Sequence, residues 1–281
     1  MSKSMREYKD RVFKFIFGNP NNKQWTLDLY NAINASKYTD PNAIEFNTIE
    51  DAVYMGMIND ASFIIAFEMN LWEHQSTYNP NLPLRILIYV AKLYEKYILT
   101  HDIYIYASTL KKIPRPKCIC FYNGTDEQPE KKVFKLSEAY DGEGDVEVTV
   151  TMLNINYSRN KELMDSCKPL YEYSWIVNGI RQNRGDNLEE TIDKVINSMP
   201  EDFVIRSFIM GHRAEVKGMF LTEWNQEKVL QQEREDSREQ GIAEGIKRMV
   251  AGMLKKNLPR PMIAEISSLP EDVIANIASQ L

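Results

Sequence analysis

The stretch INDASFIIAFEMNLWEHQSTYNPNLPLRILIY, Ile58 to Tyr89, sets two strand-like runs ahead of a helix and gathers acidic, amide and basic groups along them. Asp60 opens the first run, and Glu73 and Gln75 sit in the second. Side chains alternate along a strand, so Glu73 and Gln75 project from one face, about 6.5 Å apart, while His74 points to the other. Joining the runs through the short FEMN segment, 67 to 70, brings Asp60 alongside that face and assigns Glu68 to the hairpin turn. Carboxylate and amide oxygens gathered in this way form a hard-oxygen site suited to Mg²⁺ or Mn²⁺.

Outward from this stretch, Asn79-Pro80-Asn81 breaks the chain, and apolar residues at 84, 87, 88, 90, 91, 94, 97 and 98 predict a helix over Leu82 to Tyr97. On its amino-terminal side, residues 7 to 35 read as two helices separated by Gly18 to Asn22, and Ala43 to Phe46 and Ala52 to Met57 as short strands. On its carboxy-terminal side, Lys117 to Tyr122 ends at Asn123-Gly124 and reads as a strand buried on both faces. Val133 to Leu136 and Val146 to Ile155 continue the sheet. Helical patterning returns from Asn160 to Trp224. Residues 225 to 248 are nearly all polar and read as a solvated helix or connector, and a small helical module occupies 249 to 281. The expected organisation is a core over 1–157, a helical extension over 158–224, the polar segment over 225–248 and the module over 249–281.

A chain of 281 residues with 43% hydrophobic content can bury a substantial core, which excludes wholesale disorder. A net charge of −6 argues against coating nucleic acid by bulk attraction. The charge is uneven, however, with Lys3, Arg6, Lys9, Arg11, Lys14 and Lys23 near the start and Lys111, Lys112, Arg115 and Lys117 in a second cluster. The three cysteines include Cys118 and Cys120, spaced as on one strand face rather than as a metal knuckle, so reduced core thiols are expected. No run approaches the ~18 apolar residues of a membrane span, and no amino-terminal stretch reads as a signal peptide. The expectation is a cytoplasmic protein without membrane contact.

The helix KDRVFKFIFG (9 to 18), the pair Asn59-Asp60, the strand end LWEHQS (71 to 76) and the following PLRILIYVAKLY (83 to 94) together resemble the PD-(D/E)XK nuclease family transposases, the recombination-promoting nucleases of Rpn type. The polar tail containing EQGIAEGIKRMV resembles that family's carboxy terminus. The resemblance implies an α/β fold with an αβββαβ core of restriction-endonuclease type, dependence on Mg²⁺ or Mn²⁺, and hydrolysis of DNA phosphodiester bonds in transposition or recombination. It implies metal ligation by Asp60 and Glu73, positioning of water or phosphate by Gln75, and an accessory acidic role for Asp10. Gln75 stands where many nucleases of the wider superfamily carry Lys. An amide orients water or phosphate but brings no positive charge to the developing negative charge.

Arg85, one turn into its helix, is the candidate cation, read either as a DNA phosphate contact or as a salt bridge to Glu73 or Glu68. Lys14 is read either as a contact to DNA or to a metal-site carboxylate, or as a solvated surface lysine. His74 is expected to be a hydrogen-bonded structural histidine, and Tyr104, Tyr106, Tyr122, Tyr171, Tyr173 and Trp175 to pack in the core or at its rim. The basic KKIPRPK at 111 to 117 is read either as tracking a DNA backbone or, by default, as a solvated loop. A homodimer would set two sites on the two strands of a duplex. The rival expectation is a catalytically weak DNA-binding or protein-interaction module that keeps the nuclease fold.

Overall fold

The computed structural model describes residues 12–47, 61–183 and 187–279. Asp10, Asp60 and the expected strand at 52 to 57 lie outside the described residues. The chain divides into two compact units, Met1–Glu223 and Trp224–Leu281.

The first unit is mixed α/β and is built on a six-stranded sheet. Helices α1 (Val12–Phe17) and α2 (Lys23–Asn34) precede β1 (Glu45–Phe46), β2 (Ala61–Ile65) and β3 (Glu68–Gln75). Helix α3 (Leu82–Thr100) then leads to β4 (Arg115–Tyr122), followed by β5 (Lys131–Lys135) and β6 (Thr149–Asn154). The strand order is β1-β2-β3-β4-β6-β5. The β3–β4 and β4–β6 pairs are parallel and the others antiparallel. A parallel pair needs a long crossover, and α3 supplies it between β3 and β4.

The β2–β3 hairpin turns on two residues, Ala66 and Phe67, because Ile65 pairs with Glu68. Both turn residues have positive φ, 48° and 60°. This is the backbone that a two-residue hairpin demands, and it usually selects Asn-Gly. Glu68 therefore belongs to β3 and not to the turn, and the connection is AF rather than FEMN. Ala-Phe carries none of the local chemistry that marks such a turn.

Helix α3 begins where Asn81 N donates to Asn79 Oδ1 and carries Pro83 in its first turn, where the missing N–H costs no helical bond. Leu82, Ile86, Tyr89 and Leu93 recur at helical spacing and are buried against Met69, Leu71, Cys118, Cys120, Tyr122 and Met152 of the sheet. Each such side chain contributes on the order of 1.5–3 kcal/mol by leaving water. The helix closes where Asp102 adopts φ 50° and Ile103 N reaches Ile98 O, the six-to-one bond of a left-handed cap.

The opposite face of the sheet is covered by α1, α2 and, beyond α4 (Lys161–Ser166), by α5 (Lys168–Gln182). Phe13 contacts Phe121 there, and Phe63 meets Trp72 edge to face. Helices α6 (Leu188–Asn197) and α7 (Arg206–Gly211) complete the helical part. Buried Glu172 of α5 accepts hydrogen bonds from Val204 N and Ile205 N, at 2.8 and 2.9 Å, tying the segment before α7 to α5.

Helix α8 (Arg213–Lys255) carries the polar stretch of 225 to 248, and its side chains from 235 to 245 are exposed. In the second unit, Val250 of α8 forms a core with Ile263 of α9 (Arg260–Ser267) and with Ile274 and Ile277 of α10 (Glu271–Ser279). Among the described residues, no helix is long and apolar enough to cross a membrane.

Candidate functional site

Every residue of β3 is buried, including the polar Glu68, Asn70, Glu73, His74 and Gln75. A strand hydrogen-bonded on both sides and covered on both faces leaves such groups dependent on side-chain partners. Strand alternation sorts those partners into two sets.

On the α3 face, Glu73 accepts an ion-paired hydrogen bond from Arg85, Nη2 to Oε2 at 3.1 Å. Arg85 Nη2 also lies 3.5 Å from the hydroxyl of Tyr89, one turn further along α3. Gln75 is 7% exposed, and its Nε2 has no hydrogen-bond partner among the described residues. A buried amide donor left without a partner costs about 1–3 kcal/mol, so this nitrogen is a ready donor to an incoming oxygen. Cys118 and Cys120 sit on the same face, and burial, reinforced by the charge of Glu73, pushes the Cys118 thiol up to about 12. All three cysteines are unbridged and buried, as the strand spacing of the first two predicted.

On the opposite face, His74 Nε2 lies 2.9 Å from the Tyr173 hydroxyl, and its ring stacks on Phe13 at 5.0 Å. Tyr173 also accepts from Asn123 Nδ2 at 3.2 Å. Arg181 donates to Asn156 Oδ1 at 2.8 Å and approaches Asn123 Oδ1 at 3.5 Å. A polar chain thus runs from β3 through α5 to the ends of β4 and β6. His74 is a member of this structural network and is turned away from Glu73. Asn123 was expected only to mark the end of a strand, and Tyr173 only to pack. The one sequence signal for the chain was an amide placed directly between a buried strand and Gly124.

Gly124 has to be glycine, since a Cβ there would overlap Ser76 O and the Tyr122 ring hydroxyl. That close approach brings the loop after β4 against the residue that follows Gln75. Beside it opens a cavity of about 380 Å³ at the carboxyl ends of β4 and β6. Open α/β sheets commonly bind ligands at such strand ends. Its lining carries Arg159 and Arg181 together with Asp126 and Glu127, so its charge is mixed.

Near the start of β3, Glu68 accepts a hydrogen bond from Arg115 Nε at 3.0 Å, within an ion pair that also brings Nη2 to 2.9 Å. The Tyr30 hydroxyl donates a second hydrogen bond at 3.2 Å. Arg115 and Lys117 thus belong to β4 rather than to a solvated loop, and Lys117 Nζ binds Asn34 Oδ1. Tyr104 and Tyr106 are exposed, at 66% and 80%, and do not pack in the core, whereas Tyr122 and Tyr173 do. Lys14 is half-buried on α1, and Gly18, one turn later, sits where an added Cβ would meet both Lys14 Cγ (3.1 Å) and Ala61 Cβ (3.2 Å).

Within the described residues, the structure brings Glu73, Gln75 and Arg85 together. No family model, curated protein or solved structure matches this chain. Among the described residues no three His, Cys, Asp or Glu side chains gather as a metal would require. Glu73 and the amide of Gln75 are hard donors of the kind that suit Mg²⁺ or Mn²⁺, and a third would have to come from elsewhere, with Asp60 as the sequence candidate.

Proposed function

We propose that this chain is a Mg²⁺- or Mn²⁺-dependent DNA endonuclease with a PD-(D/E)XK-like core, of the recombination-promoting type that its sequence resembles. The observation that carries the reading is the pairing of buried Glu73 and Gln75 on one face of β3, with the Gln75 amide nitrogen lacking a partner among the described residues. The order of helix, β1, β2, β3, α3 and β4 supports it by matching the expected αβββαβ arrangement.

Glu73, together with Asp60, would hold the metal, which when bound polarises a phosphoryl oxygen and lowers the pKa of bound water. Gln75 Nε2 donates a hydrogen bond to a phosphate oxygen or to water. Arg85, 28% exposed at its side chain, pairs with Glu73 and supplies the positive charge that an amide cannot. Arg85 takes both readings offered by the sequence, because one guanidinium has donors enough for a carboxylate and a phosphate. Asp10 is an accessory acidic group and Lys14 a DNA contact in this reading.

A second reading rests on the same ion pair. With Arg85 bound to Glu73 and Gln75 in place of lysine, the carboxylate is already neutralised, which favours a catalytically weak module that binds DNA or protein. The deciding experiment is plasmid nicking with Mg²⁺ or Mn²⁺, alongside metal titration by thermal shift. The nuclease reading expects metal-dependent nicking that Glu73→Ala removes. Absence of both a metal shift and nicking selects the module.

A further inference from the structure

On the face of the sheet opposite Glu73 and Gln75, a cavity of about 660 Å³ lies between α2 and α4. Ile119 of β4 and Leu153 of β6, both buried, form its floor, with Thr151 between them in register with Ile119. Its rim carries three ammonium groups, from Lys37, Lys117 and Lys131, against the single carboxylate of Glu162. Among the described residues Lys37, Lys131 and Glu162 make no ion pair, and the Thr151 hydroxyl makes no hydrogen bond. Lys117 is held in place by Asn34.

A cavity of this size lies within the range that encloses a small organic ligand, about 300–1,000 Å³. An apolar floor beneath a cationic rim requires a ligand that is apolar on one side and anionic on the other. Three cations facing one carboxylate call for more than one negative charge, which a phosphate or diphosphate carries near neutral pH. The open Thr151 hydroxyl offers either a donor or an acceptor to the ligand's middle.

We infer that this cleft binds a nucleotide-sized organic phosphate, with its phosphate held by Lys37, Lys117 and Lys131 and its apolar part resting on Ile119 and Leu153. The site is separate from Glu73 and Gln75 and does not depend on the nuclease reading.

Calorimetric titration of the full chain with adenosine 5′-diphosphate, in EDTA so that no divalent metal takes part, tests it. Saturable binding of one equivalent is expected, with no binding of adenosine. Lys37→Gln with Lys131→Gln, both on exposed side chains, should weaken binding at least about tenfold, roughly 1.4 kcal/mol. Glu162→Gln should tighten it, a change that damage to the fold would not produce. Glu73→Ala should leave it unchanged, so that failure of the nuclease reading is seen separately. No saturable binding, binding insensitive to the lysine pair, or binding of a DNA oligonucleotide without binding of the nucleotide would each overturn the inference.

Discussion

The two buried glutamates of β3 stand five residues apart on opposite faces of one strand, and their surroundings differ in kind. Glu68 accepts a hydrogen bond from each of two partners, Arg115, which is also its ion-pair partner, and Tyr30, and joins the amino end of β4 to α2. Glu73 shares its face with an amide whose nitrogen meets no described partner and with a guanidinium of the helix that follows. One carboxylate ties secondary-structure elements together. The other sits among groups still able to bind something else. Burial alone does not separate them, since they are 4% and 2% exposed.

The largest effect expected from breaking this contrast is on activity. In the proposed nuclease reading, Glu73→Ala should lower metal-dependent cleavage by about 10²–10³-fold or more, the scale of losing one group that stabilises developing charge. Gln75→Ala should fall in the same direction, and a Gln75→Lys variant should retain or raise activity. Nicking rates at saturating Mn²⁺ measure all three. If Glu68→Ala abolished cleavage while Glu73→Ala did not, the roles of the two faces would have to be exchanged.

Glu68→Ala should instead act on stability, costing about 1–3 kcal/mol in urea unfolding. The lower part of that range is favoured because the Arg115 side chain is 80% exposed and regains water when its partner is lost. Cleavage per folded molecule should be unchanged.

Each face also carries its own titratable reporter. Burial raises the Tyr30 hydroxyl to about 12, with Glu68 adding to the effect. The folded state therefore holds the Tyr30 proton more tightly than the unfolded chain, whose tyrosine titrates near 10. This contribution to stability is fully present below about pH 10 and is lost as the pH rises toward about 12. Tyr94 and Tyr171 are also shifted up, so absorbance titration at alkaline pH should show several late-ionising tyrosines, of which one moves lower in Glu68→Gln. Cys118 reports on the Glu73 face. With its thiol likewise pushed up to about 12, it should resist alkylation at pH 8 in the native protein and react on unfolding.

The smallest effect concerns the hinge between β2 and the strand that carries both glutamates. Replacing Ala66-Phe67 by Asn-Gly should stabilise the protein by about 0.5–1 kcal/mol, because Asn and Gly adopt positive φ at less cost. A loss of stability would show that Phe67, half-exposed at the turn, contributes more by packing than its backbone costs.

Strand parity made much of β3 legible in advance. The period of two separates Glu73 and Gln75 from His74 whatever the rest of the chain does, and the 3.6 period marks α3 as a helix. Its buried stripe, however, is Leu82, Ile86, Tyr89 and Leu93 and not the apolar positions 84, 87, 88, 90, 91, 94, 97 and 98, because so many of its residues are apolar that only the packing against the sheet selects the face. The hairpin was misplaced because Ala66 and Phe67 have no turn preference of their own. Their positive φ is imposed by the pairing of β2 with β3, and the energy of the ladder outweighs the local strain. Glu68 went with them, since shifting a two-residue turn changes which residues belong to the strand.

Local sequence therefore determined which side chains of β3 share a face, that the cysteines are core thiols and that a helix follows Asn81, because alternation and helical periodicity are properties of neighbouring residues. Only the tertiary structure decided that Glu68 meets Arg115 across 47 positions, that His74 meets Tyr173 across 99, and that Gly124 closes on Ser76. It also decided that three lysines from distant segments rim one cavity. Those partnerships arise from burial, which removes water as a competing partner and obliges each polar group to find another wherever the fold brings one within reach.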